Sequence, residues 1–476
     1  MSRAAVGFGA ILLLVQQTAW AGPELKNREN LARSIDAAVS QKGLPSVVVV
    51  VFDDHRILWS QVAGYSDLAR KTAPTLRTRY RLGSIAKAVT STVLAIAVQR
   101  GSISFDKKVR VPASQGYRWA SLGELVNMQA GLAQAVCYDG ITGDADRDCG
   151  GGFNARFGVA ITDGKGRYSY SNMGPQLAAD ALARQMHDRF DRIVRNLLFL
   201  PAGMTGATFS HTRSGALAAD YQGDGKRFEH DFRILPEAGA GLEASAEDLV
   251  RFGQLHITGR AADGRRLLSA TTLESLHSAP NGDFYGFGWG RIGQGRSTEV
   301  LISDGQVNGG QAMLLINPLR KVGAVVISNA AHDEVSDLAL AAMDTVVPGT
   351  SVSFGAAVGQ AQEAHQAKVS GFLPPKNFEG TGTLLGYGTQ LVVEVKSSGA
   401  QLRAVIAGTV SDQSKSEEDE GFRGWAVPCP QELPACRRPG ATAKLWLSRD
   451  ASGLGGQLQV TSFNGQVPFP VSIELH

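Results

Sequence analysis

Cysteine is scarce in this chain: four occur among 476 residues, and no two of them form a Cys-x-x-Cys pair. The nine histidines are scattered and show no His-Glu-x-x-His pairing. Both absences argue against a structural zinc site or a zinc protease, so no metal is expected. Charge of one sign is lacking as well. The formal net charge is +3, and no basic block or aromatic-interleaved basic patch points to nucleic acid as a partner. Beyond the N-terminus no apolar run reaches the length needed to cross a bilayer, so no transmembrane anchor is expected. Around Ser84, in Leu82-Gly-Ser-Ile-Ala86, the second glycine of a Gly-x-Ser-x-Gly nucleophile elbow is missing. That counts against a Ser-His-Asp hydrolase.

What remains is an ordinary globular composition, 43% hydrophobic and 19% charged, able to bury a full core. At about 100–200 residues per domain the length predicts two or three domains. The first 21 residues read as a signal peptide: Arg3 supplies the positive start, Ala10 to Val15 the apolar core, and Ala19-Trp20-Ala21 a small-x-small cleavage site. The mature chain then begins at about Gly22 and is exported, to the periplasm or beyond. Four cysteines suit an oxidising compartment. They allow three pairings, of which the two local ones, Cys137 with Cys149 and Cys429 with Cys436, are the simplest.

The chemistry concentrates at Ser84 and Lys87. Residues three apart share a helix face, so the hydroxyl and the amine can touch. Gly83-Ser84 reads as a helix start, where the dipole is positive. The following residues are apolar nearly all round until Gly101, as in a buried central helix. Burial and positive potential both lower a lysine pKa, as a lysine base requires. Ser-x-x-Lys alone is common: a second copy, Ser104 to Lys107, sits among charges beyond the helix end. Tyr170-Ser171-Asn172 is rarer, because among nine tyrosines only Tyr170 has Asn two residues on.

Taken together these motifs resemble the serine β-lactamase and penicillin-recognising hydrolases, on the side of class C β-lactamases, D,D-peptidases and family VIII esterases. The resemblance covers about residues 30 to 346. Supporting stretches run in the family's order: the hairpin-like Ser46 to Trp59, Leu125 to Leu132, Pro201-Ala-Gly-Met204, Gly239 to Leu249, and Tyr285-Gly-Phe-Gly-Trp289. The family's third motif, Lys-Thr-Gly or His-x-Gly, corresponds to Ser303-Asp304-Gly305, so Ser303 stands where the basic residue belongs. The resemblance implies catalysis by Ser84, Lys87, Tyr170 and Asn172, with Lys87 or Tyr170 as base. It also implies a substrate-side strand carrying Ser303, Gly305 and Gln306, and an oxyanion hole built from the N–H groups of Ser84 and Gln306. Loss of the cationic contact favours an ester or amide without a free carboxylate at that place. No cofactor is required. The alternatives are a non-catalytic penicillin-binding-like wall-interaction protein, and a β-lactamase or D,D-carboxypeptidase.

The expected fold class is α+β, β-lactamase-like: an antiparallel sheet flanked by helices, with a helical subdomain, then a small all-β domain. The boundaries are residues 22–348 for the hydrolase domain, 349–376 for a Gly/Ala/Ser/Gln-rich linker and 377–476 for the all-β domain. Within the first, 27–43 and 174–198 are expected helical, 46–64 a hairpin turning at Asp53-Asp54, and 333–346 a closing helix. The Gly- and Asp-rich loop 133–166 is expected either to rim the site or to be a solvent-exposed insertion, and the acidic run 416–420 to be a solvated loop.

Overall fold

The strand Ser46–Asp53 is buried along its whole length, and alternation explains how. Val48, Val50 and Phe52 point into one apolar cluster, whereas Val47, Val49 and Val51 point into another. The strand is therefore the middle layer of three. The computed structural model describes residues 27–476 apart from 114–116, 144–148, 150–159, 163, 165–167, 212–216, 280–284, 294–296, 370–372, single residues or pairs between 387 and 464, and residue 476. The signal-peptide expectation lies outside the described residues.

Seven strands form the first sheet, in the order Ile57–Gly64, Ser46–Asp53, Val322–Ser328, Gly310–Asn317, Val300–Val307, Trp289–Ile292 and Tyr285–Gly286, all antiparallel. The expected hairpin turns at Asp53, whose carboxylate accepts from the N–H groups of His55 and Arg56. One sheet face carries the helices Arg28–Ser40 and Glu334–Asp344, both in their expected places. The other carries the helices Ile85–Gln99 and Ala246–Thr258. In the latter, Ser245 and Asp248 cap the helix start reciprocally, which gives the Ser-Ala-Glu-Asp stretch a local purpose. The expected helix 174–198 is interrupted, running as Met173–Met186, then Phe190–Val194 and a π-helical turn over Arg195–Phe199.

Beyond residue 348 two expectations need correction. The segment 349–376 is not an open linker: Thr350–Val369 is an α-helix, and Phe354 and Val358 pack against the sheet's second cluster. The acidic run is not a loop: Glu417–Asp419 is a strand paired with Phe422–Val427, and Glu418 bonds Arg423 across the pair at 3.0 Å. The tail is all-β as expected. Nine strands from Asn377 to Leu475 join one antiparallel sheet, which also recruits two short strands of the hydrolase region. Val136–Asp139 pairs with Gly465–Leu475 on one side and Arg233–Leu235 on the other. Leu235 and Cys137 share one core cluster with Trp425, Leu458 and Ile473, so the tail packs continuously on the body. Both local disulfides form, Cys137–Cys149 and Cys429–Cys436. No described helix is long and apolar enough to cross a membrane.

Candidate active site

Helix Ile85–Gln99 is buried at every position from Ile85 to Ala97, as its all-round apolar sequence requires. It ends at Gly101, whose positive φ of 73° lets the Gly101 and Ser102 amides return to the Val98 and Ala97 carbonyls. Ser84 stands just before the first helical residue and Lys87 lies one turn in, on the same face. Lys87 is fully buried. Its Nζ touches three oxygens: Ser84 Oγ at 2.8 Å, Asn172 Oδ1 at 2.6 Å and the Gly239 carbonyl at 2.8 Å. Burial lowers its pKa to about 7, against an upward pull from Asp304.

Tyr170 donates its hydroxyl to Ser84 Oγ at 2.6 Å, and its ring centroid lies 4.6 Å from Lys87 Nζ. Asn172 is itself held, because its amide donates to the Ala135 carbonyl at 2.9 Å. Between them, Ser171 Oγ donates to the Ala133 carbonyl and accepts from the Met173 amide, tying the turn to the loop beside it. The four sequence-predicted residues thus form one cluster: Lys87 and Tyr170 meet the Ser84 hydroxyl, and Asn172 holds Lys87.

The geometry has a chemical consequence. A neutral amine has two N–H groups and one lone pair. Asn172 Oδ1 and the Gly239 carbonyl can take both N–H groups, which leaves the lone pair facing the Ser84 hydroxyl. Sequence reasoning missed the Gly239 carbonyl, since a backbone acceptor has no side-chain signature. The site does require glycine there: a Cβ at Gly239 would come within 2.2 Å of the Asn172 carbonyl oxygen.

Strand Val300–Val307 runs against the start of this helix, and two glycines allow the approach. A Cβ at Gly305 would lie 2.0 Å from Leu82 O and 2.5 Å from Ser84 N, and one at Gly83 2.9 Å from Gln306 N. The backbone amides of Ser84 and Gln306 are therefore neighbours at the nucleophile. Ser303 departs from expectation. It is buried, its Oγ has no hydrogen-bond partner among the described residues, and it is not among the described residues that line the cleft. Asp304 and Gln306 line it instead. Strand alternation could have signalled this, because 304 and 306 share a face that 303 does not. Asp304 is exposed to the cleft; the protein around it raises its carboxyl above the ordinary range, and Lys87 draws it back down.

The cleft beside Ser84 has a volume of about 680 Å³. Tyr138, Tyr221 and Phe228 line it, as do Thr461 and Ser462 of the all-β tail. The loop 133–166 reaches it through Gln134, Val136 and Tyr138, as a rim residue would. Behind the nucleophile turn lies an ionic network. Buried Arg81 bonds Asp220 at 2.9 Å and Asp231 at 3.0 Å, and His211 bridges Asp231 and Glu243 at 2.8 and 2.5 Å. Those bonds to Asp231 and Glu243 raise His211 to about 9.

A family model described as Beta-lactamase matches residues 31–346. Among curated proteins the chain is similar to Protein flp of Staphylococcus aureus (strain NCTC 8325 / PS 47), 22% identical over 317 residues, or 63% of this chain. The match spans only 62% of that relative's length. A Beta-lactamase of Providencia stuartii is 26% identical over 190 residues, covering 38% of this chain and 47% of that protein. Among solved structures, the octameric penicillin-binding protein homologue from Pyrococcus abyssi superposes with a TM-score of 0.58 at 17% identity, over 94% of this chain and 100% of that one. At such identity the likeness speaks for the fold. The family match spans well over half of the 476 residues, and the chain belongs to the beta-lactamase family.

Proposed function

We propose that this protein is a secreted serine hydrolase that cleaves an ester or amide through an acyl-enzyme on Ser84, in the manner of an esterase or a D-amino-acid peptidase. One observation carries the reading: Lys87 Nζ is buried, 2.8 Å from Ser84 Oγ, with both of its N–H groups engaged elsewhere when neutral. Lys87 then takes the Ser84 proton as Oγ attacks the carbonyl carbon. The developing oxyanion sits between the Ser84 and Gln306 amides. Collapse expels the alcohol or amine, which receives the proton from Lys87 directly or through the Tyr170 hydroxyl. Water repeats the sequence on the ester bond and frees Ser84. In this reading Lys87 is the base and Tyr170 the relay. Asn172 is a positioning residue that holds the lysine.

The hydrolase unit is taken as residues 22–348 and the accessory all-β unit as 377–476. Two disulfides support an oxidising compartment and export. Ser303 and the lack of any Lys or Arg lining the described cleft weigh against β-lactams and carboxy-terminal peptides as preferred substrates.

Steady-state rates with p-nitrophenyl butyrate, an alanine p-nitroanilide and nitrocefin test the proposal. The expected result is turnover of the ester or the anilide ahead of nitrocefin, at least about 1,000-fold slower in Ser84→Ala and in Lys87→Ala. Equal rates in wild type and Ser84→Ala would overturn it. No turnover at all would favour the non-catalytic penicillin-binding-like reading.

A further inference from the structure

The cleft beside Ser84 carries charge of one sign only. Among the described residues lining it, Asp304 is the only Asp, Glu, Lys or Arg. Lys87 lies beneath, fully buried and committed to Ser84, Asn172 and Gly239. Asp304 stands two residues before Gln306 on the strand Val300–Val307. Residues two apart on a strand, about 7 Å along the backbone, face the same side, so Asp304 shares the cleft face with Gln306. Its carboxylate accepts a hydrogen bond from its own backbone N–H, and among the described residues it forms no ion pair.

Asp304 is exposed on the cleft wall, and its charge has no part in the acyl-transfer steps. Its charge favours the ammonium form of Lys87, which opposes use of that lysine as a base. A ligand cation would offset that charge. The other walls suit a cation as well: Tyr138, Tyr170, Tyr221 and Phe228 present aromatic rings to the same space. An anionic substrate would meet Asp304 with no compensating side-chain cation.

We propose that the substrate carries an ammonium group near its scissile carbonyl, and that Asp304 pairs with it and determines this specificity. The inference rests on the acyl-transfer reading above and names the substrate class of that site: an ester or amide bearing a protonated or quaternary amine.

The test uses activated phosphonates that react with Ser84, matched except for a trimethylammonium, a tert-butyl or a carboxylate group. Two series place that group on the retained arm or on the leaving arm. Second-order labelling rates are read by intact mass for wild type, Asp304→Asn and Asp304→Lys. In at least one series the cationic probe is expected to react about tenfold faster than its tert-butyl isostere. That ratio is expected to fall towards one in Asp304→Asn, and Asp304→Lys is expected to favour the carboxylate. Comparing probes within each variant cancels any effect on Lys87. The wild-type ratio should also shrink as salt is raised, a readout that needs no variant to fold. A ratio of one in both wild-type series, or a ratio that survives in Asp304→Asn, overturns the inference while leaving Ser84 as the nucleophile. Failure of every probe to label Ser84 overturns the acyl-transfer reading itself.

Discussion

Lys87 is driven towards neutrality by burial. Moving it from 10.5 to about 7 costs the ammonium form about 5 kcal/mol relative to water. That cost makes an amine available as a base near neutrality. The sign for activity follows: the neutral form is the base, so kcat/KM should climb as pH rises through about 7 and fall away below it. Asp304 pulls the lysine upward, so Asp304→Asn should move this acid limb to lower pH. A pH–rate profile of the variant with an uncharged ester checks it, and an unmoved or raised midpoint would contradict it. At this scale the sequence was informative wherever function needs a side chain at short range. Ser84 and Lys87 are one helical turn apart, and Tyr170 and Asn172 flank one turn. It was misleading at Ser303, where matching by position overlooked the parity of the strand and hid Asp304.

The element that matters most is the contact between Leu82-Gly83-Ser84 and Gly305-Gln306. Only backbone can pass there, since a Cβ on Gly305 would come within 2.0 Å of the Leu82 carbonyl oxygen. Gly305→Ala should therefore prise the strand from the helix start and spoil the oxyanion hole. We expect kcat to fall about 100-fold or more while the Ser84–Lys87 pair survives. The check is kcat against the rate of phosphonate labelling; a variant with wild-type kcat would contradict it. Local pattern predicted the helices and strands that carry the site, because each has a period or a cap of its own. Thr350–Val369 is held from a distance, by Phe354 and Val358 against the sheet, whereas Glu417–Asp419 pairs with the neighbouring strand Phe422–Val427, and its run of charge hid the strand. Val136–Asp139 is a four-residue strand in a Gly- and Asp-rich loop, and its partner strand begins at Gly465.

Across the whole molecule, the all-β tail and the hydrolase region are sewn together at that same strand. Cys137 stands opposite Gly465 and Leu235, and is tied to Cys149 twelve residues on. Opening a loop of this length is worth about 3 kcal/mol in the chain-entropy account. The double variant Cys137→Ser with Cys149→Ser should lower the melting temperature by roughly 5 °C. It should also raise KM more than it lowers kcat, because the strand positions a cleft wall and not the nucleophile. Thermal denaturation and steady-state kinetics check both halves, and an unchanged melting temperature would contradict the first. The extent of the tail was legible from its short runs and Gly/Ser turns. Its contribution of Thr461 and Ser462 to the cleft was not, since no local signal links residue 462 to Ser84. All of these readings stand on one atom. Intact-mass analysis after treatment with a fluorophosphonate should find a single adduct on the wild-type protein and none on Ser84→Ala; an adduct that persists in Ser84→Ala, or its absence from wild type, would contradict the account.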